Sequence, residues 1–127
     1  MAGTFLIADD TPSKLAMLKA FVVHGQWDGE ILLAKTSEEA FALIDAHPTI
    51  TAAFVDYYIP SKNGPAIIAY LHAKNPAAHI ALVSSADNAQ NSAEAKAAGA
   101  EAVICTTHGE DILRTQLTDL LLAWRES

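Results

Sequence analysis

Short apolar runs of strand length recur along the chain, each followed by residues at helical spacing. Thr4 to Ala8 forms the first run and meets two acids, Asp9 and Asp10, before Thr11-Pro12, a helix cap with proline at the first helical position. Leu15, Leu18 and Val22 fall on one helical face until Gly25 and Gly29 interrupt the pattern around Trp27, which predicts a helix ending near Val23 or His24. Ile31 to Ala34 reads as a second strand. Thr36-Ser37-Glu38-Glu39 then carries a capping-box signature ahead of Phe41, Leu43 and Ile44, and Pro48 closes that helix. Ala53-Phe54-Val55 is an apolar run that ends abruptly in Asp56, after which Pro60 and Gly64 force a loop. The helix that follows turns Ile67, Ile68 and Leu71 inward and stops at Asn75-Pro76. Ile80 to Val83 makes a fourth strand, ending in Ser84-Ser85. From about Asn88 to Ala98 the chain is rich in alanine, a strong helix former with little to bury, so a shallowly packed and mobile helix is expected there, terminated by Gly99. Ala102 to Cys105 is the fifth strand, and Thr107-His108-Gly109-Glu110 has the spacing of another capping box. Leu113, Leu117, Leu120, Leu121 and Trp124 stripe the last helix. Leu121, Leu122 and Trp124 cannot all face one core, which leaves room for an interface there, a homodimer included.

Five strands alternating with five helices specify βαβ units with right-handed crossovers, hence an α/β class, doubly wound, parallel-sheet sandwich. A chain of 127 residues, 51% hydrophobic, suits one domain over residues 1–127 with a well-buried core. In such sheets ligands sit beyond the carboxyl ends of the strands, where strand order reverses. Asp9 and Asp10 end the first strand, Asp56 the third, Ser85 the fourth and Thr106 the fifth, so all five fall on one rim.

Composition narrows the function classes. A formal net charge of -7 argues against binding to nucleic acid or an anionic membrane, since little here would displace counterions from phosphates. The lone Cys105 excludes an intramolecular disulfide and reads as a small buried hydrophobe. Without a secretory-type start or an apolar stretch of bilayer length, a cytoplasmic location is the expectation. The histidines at 24, 47, 72, 79 and 108 show no ligand spacing and receive no role.

The carboxylates on the rim carry the chemistry. Each alone has a plain reading: Asp9 and Asp10 as a helix-capping pair, Ser84 and Ser85 as turn residues, Tyr57 and Tyr58 as packing. Together they are harder to explain that way, because two carboxylates about 4 Å apart repel by roughly 4 kcal/mol at an effective dielectric of about 20. Three must bind a cation or hold protons. An open, all-oxygen site suits Mg2+, which keeps several waters and favours a phosphate oxygen as partner. Asp56 could then attack a phosphoryl group and form an acyl phosphate, with the Ser85 hydroxyl binding one of its oxygens.

The ordered set of motifs resembles the receiver domains of two-component response regulators, of the CheY-like kind. It consists of Asp9-Asp10, the D-x-x-x-P-x-x-x-G pattern from Asp56 through Pro60 to Gly64, Ser85-Ala86, and Ala98-Gly99-Ala100. The resemblance covers essentially the whole chain and implies a flavodoxin-like three-layer sandwich with strand order 2-1-3-4-5. It further implies Asp56 as phosphoacceptor, Asp10 as a direct Mg2+ ligand, Asp9 as a ligand through water, the Tyr58 carbonyl as another ligand and Ser85 as the switch hydroxyl. The implied activity is a phosphorelay signalling step rather than an enzyme's turnover. Its partners would be a histidine kinase or phosphotransfer protein, and a downstream protein.

Two family features are absent. The lysine-proline pair after the fifth strand falls on Thr106 and Thr107, and the switch aromatic falls on Val103. Thr106 cannot replace a lysine in reach or charge. Lys62 or Lys14 could swing in, although a solvated surface lysine is the ordinary identity of each. These gaps give a second expectation, a degenerate receiver acting as a phosphorylation-independent interaction module. A metal-dependent hydrolase lacks support, since no general acid stands out. Tyr58 could also shield the acyl phosphate from water.

Overall fold

The computed structural model describes residues 3–85 and 88–126. Five parallel strands, β1 (Thr4–Ala8), β2 (Ile31–Ala34), β3 (Ile50–Val55), β4 (His79–Ser84) and β5 (Ala102–Cys105), lie in the order β2-β1-β3-β4-β5. They alternate with helices α1 (Pro12–His24), α2 (Ser37–Ala46), α3 (Gly64–Lys74), α4 (Ala89–Ala98) and α5 (Glu110–Glu126). The predicted doubly wound sandwich is therefore the fold. No described helix is long and apolar enough to cross a membrane.

Both faces of the sheet are buried, so the inner strands carry unbroken apolar runs and the alternation along each run only chooses the layer. Phe5, Ile7, Phe54, Val83 and Ile104 point to one side, where α1 contributes Leu15, Leu18 and Val22 and α5 contributes Leu113, Leu117, Leu121 and Trp124. That layer is aromatic: the Phe5 ring meets those of Trp27 and Phe54 edge-on at 5.0 and 4.9 Å. Leu6, Ala8, Val55, Ile80 and Leu82 point to the other side, against Ile44 of α2, Ile67, Ile68 and Leu71 of α3, and Ala95 of α4. As expected from the last helix, Leu121 and Trp124 are buried while Leu122 is exposed.

Caps differ from the sequence expectation at two helices. At α2 the expected box forms, with Glu39 N–H donating to Thr36 Oγ1, although the Glu39 carboxylate reaches back to the Lys35 N–H. Thr11 precedes α1 but makes no side-chain cap; its N–H donates to Asp9 Oδ1 instead. The box expected from Thr107 is also absent, because α5 begins only at Glu110 after Gly109 at φ 114°. The Thr107 hydroxyl is spent on Cys105 Sγ at 3.0 Å. Helix α4 is as thinly packed as its alanines suggest, burying only Asn91 and Ala95.

Candidate functional site

Register brings the acids together. Ala8 is paired with Val55, so the residues that follow, Asp9 and Asp56, emerge side by side, and the Asp56 N–H donates to Ala8 O at 2.9 Å. The 46- and 47-residue separations along the chain vanish at the rim: one carboxylate oxygen from each of Asp9, Asp10 and Asp56 lies within 4.8 Å of the others. Asp9 is fully buried, Asp56 half-buried and Asp10 exposed. Burial, the largest influence, pushes the Asp9 carboxyl above the usual carboxylate range, while the Thr11 N–H and Lys14 pull the other way.

The loop after Asp56 is fixed by contacts that explain its motif. A Cβ on Gly64 would lie 2.0 Å from the Asp56 carbonyl oxygen, so only glycine fits where α3 starts against the end of β3. The Gly64 N–H closes the loop on Tyr57 O at 2.6 Å. Ser61 adopts a left-handed φ of 77° and is held by its hydroxyl on Glu38 at 2.6 Å, while Ser37 binds the loop backbone at Pro60 O and Lys62 N. Asp56 is thus presented by a loop braced at both ends.

Helix α1 brings a positive charge to the acids. The Lys14 ammonium lies 2.9 Å from Asp9 Oδ2, 3.1 Å from Asp56 Oδ1 and 2.7 Å from Val83 O. The reading of Lys14 as an ordinary solvated lysine is therefore corrected, whereas Lys62 is exposed. Only Asp9 among its partners is near in sequence; the two oxygens it donates to lie 42 and 69 positions on. The one local hint is its placement in the first turn of α1, where the helix dipole disfavours a cation and no acid is present.

The other candidates take these positions. Ser85 follows β4 and is exposed; Ala86 lies outside the described residues. Thr106 follows β5 with its N–H on Ser84 O, and its side chain is half-buried. Val103 is half-buried on β5 against the aliphatic layer. Tyr58 is exposed, with its ring edge-on to Tyr57 at 4.8 Å. Tyr57, expected as a packing residue, is buried, and its hydroxyl also donates to the Glu94 carboxylate of α4 at 3.1 Å. Its N–H also donates to Asp56 Oδ1, so one residue links the rim acid to a helix.

The donor set can be judged for a metal from these positions. All available side-chain donors are carboxylate oxygens, which suits a hard divalent ion and not zinc. Asp9 Oδ2 is buried and accepts no hydrogen bond, the ammonium beside it being an ion-pair contact only. A buried carboxylate oxygen short of donors fits a metal-bound water. The residues thus fit Mg2+ held by Asp10 and Asp56, with Asp9 behind.

Comparison with known proteins agrees with this fold. No curated protein matches the chain in sequence. A CheY-like receiver domain protein from Methanospirillum hungatei superposes with a TM-score of 0.81 at 22% identity, over 99% of this chain and 98% of that one. The Mn(2+)-bound response regulator Rcp1 gives 0.82 at 12% identity, over 98% and 96%. A response regulator from Burkholderia pseudomallei, with a phosphorylated aspartic acid, calcium and citrate, gives 0.78 at 20%, over 98% of this chain and 69% of that one. At these identities the structures speak for the fold, and it is the sequence of residues 5–118, matching the response regulator receiver domain, that establishes the family. The chain belongs to the response regulator receiver domain family.

Proposed function

We propose that the protein is a phosphorylatable receiver whose phosphoacceptor is Asp56. The observation that carries this reading is the convergence of Asp9, Asp10 and Asp56 on one rim with their carboxylate oxygens within 4.8 Å. Of the two Asp56 oxygens, Oδ1 accepts from Tyr57 N–H and Lys14, and among the described residues no donor occupies Oδ2. Oδ2 is then the attacking atom. It forms the new O–P bond as the P–N bond of a phosphohistidine breaks, and the electron pair returns to the donor imidazole nitrogen. No proton has to leave Asp56, because it attacks as a carboxylate.

Mg2+, when bound, would neutralise charge on the phosphoryl oxygens being transferred. Asp10, Asp56 and the Tyr58 carbonyl would hold it, Asp9 would act through a water, and the Ser85 hydroxyl would bind the transferred group. The bound metals named for Rcp1 and the Burkholderia protein, and the phosphorylated aspartate of the latter, support the same assignment. The partner that supplies the group is a histidine kinase or phosphotransfer protein. With a net charge of -7, output through a protein contact fits better than direct contact with nucleic acid. The domain acts in this reading as a signalling module and not as a turnover catalyst, and a cytoplasmic location suits it.

Beryllofluoride, a phosphoryl mimic, provides the test. With Mg2+ present, 19F NMR should show bound fluoride resonances for the native chain and none for Asp56→Ala. No bound resonances for the native chain would leave the degenerate, phosphorylation-independent module as the better reading.

A further inference from the structure

We infer that Lys14 is the resident countercation of the phosphoacceptor, delivered by helix α1 to the place that Thr106 leaves without charge, and that it binds the incoming phosphoryl group. This inference rests on Asp56 being the phosphoacceptor. Three observations carry it.

First, the ammonium is held within the site. It donates to Asp56 Oδ1 at 3.1 Å and to Val83 O of β4 at 2.7 Å, and it lies 2.9 Å from Asp9 Oδ2 as an ion pair. A solvated lysine would not lie with its side chain only 16% exposed between a fully buried and a 12% exposed carboxylate.

Second, the geometry of α1 permits the reach. Pro12 sets the helix at its first position, and Lys14 follows in the first turn. Side chains on a helix lean toward its N-terminus, here the rim, so the methylene stem of Lys14 runs back over the end of β1 toward Asp56. Leu15, the next residue, is buried in the aromatic layer and fixes the helix against rotation.

Third, the position has no local reason to be basic. The helix N-terminus favours anions, and α1 has no acid in its first turn to balance the charge. What offsets that cost is the pair with Asp9 and Asp56.

The chemical role follows. Attack by one carboxylate on an anionic phosphoryl group is opposed by like charge, and a fixed cation in a water-poor site lowers that opposition without reorganising. Lys14 already holds Oδ1 of the reacting carboxylate, so a group arriving on Oδ2 comes within its compass. The same charge opposes a divalent ion in the free protein. Lys14 therefore sets magnesium affinity as well as phosphoryl-transfer rate, in opposite directions.

The test uses Lys14→Met and Lys14→Gln, each checked for folding by circular dichroism, together with the double variant Lys14→Met/Thr106→Lys. Labelling by acetyl phosphate with saturating Mg2+ should slow by about 10- to 100-fold in the single variants, the scale of one charge-assisted contact. The double variant should regain most of the rate, and calorimetric titration with Mg2+ alone should show tighter binding in Lys14→Met than in the native chain. Unchanged rate and unchanged magnesium affinity in both single variants would overturn the inference. Slowed labelling that Thr106→Lys fails to restore would also overturn it, since the loss would then belong to helix α1 and not to the charge. If the native chain takes no label while Lys14→Met still tightens Mg2+ binding, the countercation stands and the phosphoacceptor reading falls.

Discussion

Helices α1 and α4 both begin at the rim that holds the acids, yet they are attached to the molecule in opposite ways. Helix α1 buries Leu15, Leu18 and Val22 in an aromatic layer with Phe5, Phe54 and Trp124, and sends Lys14 onto Asp9 and Asp56. Helix α4 buries a single alanine and Asn91, whose side-chain nitrogen has no hydrogen-bond partner among the described residues. What pins it to the site is the bond from Tyr57 to Glu94. The Lys14 charge is thus carried by a helix fixed through three buried apolar side chains. Helix α4, with only Asn91 and Ala95 buried, is tied by a polar contact to Tyr57, the residue next to Asp56. The contrast teaches that two helices starting on one rim can be held in different ways, one by apolar packing and one by a polar tether, in a chain that has Val103 on β5 and Thr106 just after it.

The comparison can be broken most forcefully on the α1 side. Leu18 is 1% exposed, and Leu18→Ala should destabilise the fold by about 2–5 kcal/mol, measured by urea unfolding. A loss no larger than that of an equivalent cut in α4, such as Ala95→Gly at about 1 kcal/mol, would remove the distinction.

A smaller effect is expected at the tether. Tyr57→Phe removes the donor to Glu94, and burial together with that carboxylate holds the phenol above its ordinary pKa, so it is a neutral donor at physiological pH. The variant should lose about 1 kcal/mol, with amide exchange accelerating in α4 while α1 stays protected. Uniform acceleration across both helices would show that the bond does not act locally.

The smallest and opposite effect belongs to Asp9. Its carboxyl is raised by burial above the ordinary carboxylate range, so the folded chain holds that proton more tightly than the unfolded chain, and stability falls as pH rises through the interval between the two values. Asp9→Asn should therefore be slightly more stable than the native chain at neutral pH. The gain should fade on acidification, once Asp9 is protonated in both states. A thermal-denaturation series across pH checks the sign, and a gain that persists in acid would contradict it.

How much of this was legible along the chain follows from the range of each interaction. The strands were visible because parallel strands covered on both faces must be continuously apolar, and the end of each run located the acids. Their convergence then follows from parallel register, as Ala8 beside Val55 illustrates. Gly64 was visible as a motif, but its cause, a Cβ position 2.0 Å from the Asp56 carbonyl, is a tertiary fact. The start of α5 was misplaced because Thr107 bonds Cys105 in place of capping, a choice that local spacing cannot display. Lys14 could be named only as one of two lysines able to swing in, because the choice between it and Lys62 rests on contacts with a carboxylate 42 residues away and a carbonyl 69 away. Tyr57 and Glu94 meet across 37 residues and left no periodic trace.

The central claim is that Asp56, held between Lys14 and the neighbouring acids, accepts the phosphoryl group. Exposure to acetyl phosphate and Mg2+, followed by borohydride reduction and peptide mass spectrometry, reads out the modified residue directly. The account predicts homoserine at position 56 and at no other acid. Reduction product at Asp9 or Asp10, or none at all from folded, magnesium-loaded protein, would contradict it.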